Sequence, residues 1–102
     1  MRVGIRRQHE QSSREVEGTT ENIGFGGAFI AATPPLSPGT RVHLMLASPT
    51  AWEPLRIAGV VRWVRDARSG LPAGMGVMFD PLSAEHAVAL HRLFGAHGFD
   101  DD

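Results

Sequence analysis

Cysteine is absent from this chain of 102 residues, and so are lysine and tyrosine. The lack of cysteine excludes disulfides, thiolate nucleophiles and cysteine metal sites together. The lack of tyrosine removes one of the common general acids. No apolar run approaches the ~20 residues needed to cross a bilayer. The opening stretch, Met1-Arg2-Val3-Gly4-Ile5-Arg6-Arg7, lacks the apolar core and small-residue cleavage site of a secretory signal, so a cytoplasmic location without membrane insertion is expected. Nor is there a Gly-x-Ser-x-Gly elbow, a P-loop or a His-Glu-x-x-His pair. The carboxylates fall on polar strands, in loops or in the Asp100–Asp102 tail, with no evident buried pair. The composition therefore points to binding without catalysis.

What is present fits one small soluble domain over residues 1–98, with an acidic tail at 99–102. Apolar residues make up 42% and charged residues 21%, and the net charge is −1. That balance argues against disorder and against a strong attraction to nucleic acid. All ten basic side chains are arginine. Guanidinium forks grip phosphates and guanine edges, although GC-rich coding gives the same bias with no function attached.

Periodicity divides the chain into short strands and one helix. Arg2–Gln8 alternates, with Val3 and Ile5 on one face. His9–Ser13 reads as a turn. Arg14–Asn22 is a polar strand that puts Val16 and Thr20 on one side and Glu15, Glu17, Thr19 and Glu21 on the other. Gly24–Gly27 reads as a tight bend that uses the positive φ open to glycine. Ala28–Ala31 is a buried strand, and Thr33–Gly39 is a proline-rich loop. In Arg41–Ala47, Val42, Leu44 and Leu46 face inward. Ser48–Glu53 is another loop. Pro54–Asp66 is the longest strand, with Leu55, Ile57, Val61 and Trp63 assigned to one face and a bulge or bend placed at Gly59. Ala67–Leu71 turns, and Met75, Val77 and Phe79 mark a last strand. A helix follows, with Ser83 as N-cap, Ala87, Leu90 and Phe94 as its apolar stripe, Val88 and Leu93 at the margins, and Gly95 or Gly98 as its end. Six strands punctuated by turns, then one helix, suggest a small closed barrel whose helix plugs one end or offers a face to a partner.

The segment Asn22-Ile23-Gly24-Phe25-Gly26-Gly27 resembles the signature turn of PilZ domains, Asp or Asn, any residue, Ser, two residues, Gly. Pro35–Val42, Gly59–Val64 and Gly74–Phe79 are similar, in order, to that family's proline-rich loop, central strand and closing strand. The likeness runs over about Arg14–Phe94 and is nearest to the compact, myxobacterial-type forms with a degenerate ligand motif. It implies a mainly β fold, a six-stranded antiparallel barrel with one C-terminal helix. It also implies a receptor for cyclic di-GMP, in which an Arg-x-x-x-Arg loop ahead of the first strand clamps the ligand while the turn reads guanine.

Two departures stand out. Gly24 occupies the serine position, and Arg2 and Arg6, which have the arginine spacing, sit around strand residues Val3 and Ile5. Weak or lost cyclic di-GMP binding is the expectation, and no other cofactor or metal is implied. The leading reading is a non-catalytic regulatory adaptor for a protein partner in bacterial signalling, motility or polarity. It would act through Asn22, Gly24, Phe25, Gly26 and Gly27, with Phe25 as an exposed anchor. In a second reading, Arg2, Arg6 and Arg7 order around cyclic di-GMP and Asn22 reads guanine. In a third, Arg62, Trp63 and Arg65 form a patch for single-stranded nucleic acid, which the near-neutral charge disfavours. Each has a plainer counterpart: a hairpin bend, solvated strand ends, or arginine stems covering an aromatic ring.

Overall fold

A computed structural model describes residues 1–8, 15–47, 52–67 and 70–96. The strands are β1 (Arg2–Arg7), β2 (Val16–Ile23), β3 (Gly27–Ala31), β4 (Arg41–Leu46), β5 (Leu55–Arg65) and β6 (Gly74–Phe79), followed by α1 (Ala84–Ala96). All neighbours pair antiparallel in the closed order β1-β2-β3-β6-β5-β4. Pairing of β4 with β1 closes the ring, so none of these strands is left as a free sheet edge. The turn expected at His9–Ser13, most of the Ser48–Glu53 loop, part of Ala67–Leu71, Gly98 and the acidic tail lie outside the described residues.

Alternation of side chains across each strand fills the barrel. Val3 and Ile5 of β1, Ile30 of β3, Val42, Leu44 and Leu46 of β4, Ile57 and Val61 of β5, and Met75, Val77 and Phe79 of β6 are all buried. Thr20 is the one buried polar side chain among the described residues, and its hydroxyl donates to the Met1 carbonyl at 3.2 Å. Leu90, Leu93 and Phe94 of the helix join the same cluster, so α1 caps the barrel end where β2 turns into β3. The Ser83 Oγ accepts a hydrogen bond from the His86 amide at 3.1 Å, the cap its sequence position implied.

Four expectations need correcting. The β5 bulge falls between Val61 and Trp63, whereas Gly59 pairs in register with Phe79. The inserted residue reverses the in–out parity, so Val64 turns toward the core and Trp63, expected beside Ile57 and Val61, is 52% exposed. Leu93 is a core residue and not marginal; of the two helix ends expected, Gly95 lies inside the helix and Gly98 lies outside the described residues. Finally, the left-handed glycines among the described residues are Gly39 (φ 91°) and Gly70 (φ 82°), so the Gly24–Gly27 bend forms without positive φ.

Candidate functional site

The β5 bulge creates a groove on the barrel's outer face. Trp63 pairs with Gly76 of β6, and on the far side of Gly76 lies Phe29 of β3. Any side chain at 76 would occupy the space of the Trp63 indole, so glycine lets the ring lie flat on the strand. Phe29 lies in the same way over Gly74, where a Cβ would come within 2.6 Å of the Phe29 Cζ. The two rings stack at 4.9 Å and 26°. They form one wall of an open groove of about 310 Å³, also lined by Asn22, Gly27, Arg62 and Met78.

Arg65 locks this wall in place. Its guanidinium lies 4.3 Å from the Phe29 ring centroid, bonds Glu21 at 2.9 Å and donates through Nε to the Pro72 carbonyl at 2.8 Å. Three contacts on a mostly buried arginine argue for a rigid platform. Arg65→Ala is expected to cost about 1–2 kcal/mol in urea unfolding. Arg65→Lys should recover less than half, because an ammonium cannot reproduce the fork. A loss below about 0.5 kcal/mol would reduce these contacts to surface decoration.

The fold brings together some of the expected residues and separates others. Asn22, Gly26 and Gly27 of the turn line the same groove as Arg62 and Trp63, two groups that the sequence left apart. The bulge that joins them has no obvious sequence signal, since Gly59 is the more inviting position. The turn is held by the Gly24 amide donating to the Gly27 carbonyl and the Phe79 amide to the Gly26 carbonyl, both at 2.9 Å. Phe25 is 50% exposed and sets its edge against Phe94 at 5.2 Å and 67°. Its ring is therefore half exposed and half packed on the helix. The aromatic partner of Arg65 is Phe29, not Trp63.

Arg2, Arg6 and Arg7 all belong to β1. Arg2 lies opposite Thr19 and lines a second groove with Ala31, Thr33 and Pro72. Ile5 pairs with Val16, which puts Arg6 roughly 20 Å along β2 from Asn22 at ~3.3 Å per residue. Arg2 faces Glu17 at 3.9 Å, and Arg6 faces Glu15 at 3.5 Å. No group of three or more His, Asp or Glu side chains among the described residues is placed to hold a metal ion. No helix there is long and apolar enough to cross a membrane.

No curated relative matches the chain. The family model for the PilZ domain matches residues 1–96, which takes in the barrel, the signature turn and the capping helix. PilZ domains are generally cyclic di-GMP-binding or related regulatory domains and are typically non-enzymatic. This chain, with its closed six-stranded barrel and its Asn-x-Gly-x-x-Gly turn, belongs to the PilZ domain family.

Proposed function

We propose that the protein is a non-catalytic, cytoplasmic regulatory module that works through a protein partner and holds cyclic di-GMP weakly or not at all. The observation that carries this reading is the placement of Arg2 and Arg6 within β1. Both are strand residues, Arg2 beside Glu17 of β2 and Arg6 beside Glu15, the residue just ahead of β2. A doubly phosphorylated ligand at the Asn22 turn would need a cationic clamp, and both arginines are built into β1, Arg6 roughly 20 Å along β2 from that turn at ~3.3 Å per residue. Gly24 supplies no hydroxyl where the family's turn has serine. Each charge-assisted hydrogen bond forgone costs about 1.5–3 kcal/mol.

The partner surface in this reading is the groove. Trp63 and Met78, 52% and 47% exposed, offer apolar area beside Arg62, and such aromatic and arginine residues often anchor interfaces. Arg62 also supports the second reading. It is the arginine that lines the groove together with Asn22 and Gly27, so a nucleotide there would be held by Arg62 and not by the β1 arginines. Single-stranded nucleic acid fits less well, because Arg65 is occupied by Glu21 and Pro72.

Titration calorimetry with cyclic di-GMP tests the proposal. The expected dissociation constant is weaker than ~10 μM, equivalent to about −7 kcal/mol. Tighter binding abolished by Arg6→Ala would overturn it in favour of a receptor that rearranges β1. Tighter binding abolished by Arg62→Ala alone would establish the second reading.

A further inference from the structure

We infer that Phe25 is a latch joining the turn at the groove to the docking of helix α1. The turn is fixed at its edges by the Gly24-to-Gly27 and Phe79-to-Gly26 backbone hydrogen bonds. Between them Phe25, which is not one of the groove's lining residues, closes edge-to-face on Phe94 in the last turn of the helix. Phe94 is 8% exposed and packs with Leu90 and Leu93 in the barrel cluster. One half-exposed ring therefore spans the groove's rim and the plug of the barrel.

The glycines on either side of Phe25 point to motion. A Cβ at Gly24 or Gly26 would meet open space, and neither residue has a left-handed φ. The resting turn does not require glycine at either place, unlike Gly27, where a Cβ would run into the Val77 carbonyl. What glycine adds at 24 and 26 is access to backbone conformations other than this one. The pair forms a hinge, and Phe25 is what the hinge carries.

Asn22, Gly26 and Gly27 line the groove, so an occupant seated there bears on the same turn. An occupant that favours the swung-out turn draws Phe25 from Phe94 and loosens the helix. By linkage, a loosened helix favours that occupant to the same degree. Undocking would uncover Leu90, Leu93 and Phe94 as an apolar stripe. This regulatory meaning rests on the groove being the binding site. The test uses no ligand, so the latch and the binding proposal fail separately.

Hydrogen exchange of the full chain reads the latch directly. Phe25→Ala should speed exchange of the Leu90–Ala96 amides about 5- to 10-fold, the scale of one aromatic contact, while the β4 and β5 amides keep their protection. Phe25→Leu should fall between. Phe94→Leu keeps an apolar plug and should speed exchange at Gly24–Gly26. Helix exchange within twofold of wild type in Phe25→Ala, or turn amides unmoved by Phe94→Leu, overturns the latch. The double variant Gly24→Ala/Gly26→Ala should fold like wild type and lose microsecond-to-millisecond NMR relaxation dispersion at Phe25. Dispersion equal to wild type overturns the hinge.

Discussion

Gly27→Ala should lower the unfolding free energy by about 2–3 kcal/mol, the range for forcing extra volume into a packed site, and Tm by roughly 10–20 °C for a domain of this size. Gly27 opens β3 directly against Met78 of β6. A methyl there would overlap the Val77 carbonyl oxygen and lie 3.3 Å from the Met78 Cα. Both obstacles are backbone, so no side chain can swing aside, and the β3–β6 ladder has to open. Gly24→Ala is the internal comparison. Its methyl meets nothing within 4 Å, and alanine narrows the unfolded ensemble, so its effect should lie within about ±1 kcal/mol. The comparison bears on function, because Gly27 is the closing glycine of the family's signature turn. If Gly27→Ala melts with wild type, strand packing does not account for that glycine, and close backbone approach by a ligand becomes the better explanation. Thermal unfolding followed by circular dichroism decides between them.

The sequence carried the barrel's interior in plain view and its exterior poorly. Val42, Leu44 and Leu46 alternate without interruption and are fully buried, because a strand without bulges keeps its period of two. Val16, Thr20 and the outward glutamates of β2 follow the same rule. The period failed at Trp63. A single inserted residue after Val61 turned the indole from the core to the surface and created the groove wall. Bulges depend on how two distant strands match in length, which local sequence does not encode. The union of the Asn22 turn with Arg62 and Trp63 was hidden for a related reason: β3 and β5 meet only through β6, which follows both in the chain. The opposite case is β1. Val3 and Ile5 correctly placed Arg2 and Arg6 in a strand, yet their glutamate partners depend on the β1–β2 register.

Leu90→Ala tests whether the helix is part of the barrel's fold or an ornament upon it. Leu90 is fully buried, and its neighbours in the cluster come from the strands as well as from Leu93 and Phe94. Truncation to alanine removes buried methyl groups and leaves a cavity at the barrel's plug, at an expected cost of about 3 kcal/mol. Helix propensity cannot be responsible for that loss, since alanine is the stronger helix former. Val88→Ala, on the half-exposed face of the same helix, should cost within about 0.5 kcal/mol. Two probes in one denaturant series separate the outcomes: far-ultraviolet circular dichroism for the helix, and Trp63 emission in a Trp52→Phe background for the barrel wall. Coincident transitions, both shifted to lower denaturant, mean that the plug and the barrel fold as one unit. Helix loss ahead of an unshifted Trp63 transition would mean that the plug is held locally. In that case the contact of Phe25 with Phe94 would be a larger share of what keeps α1 in place, and an occupant of the groove would need correspondingly less binding energy to release it.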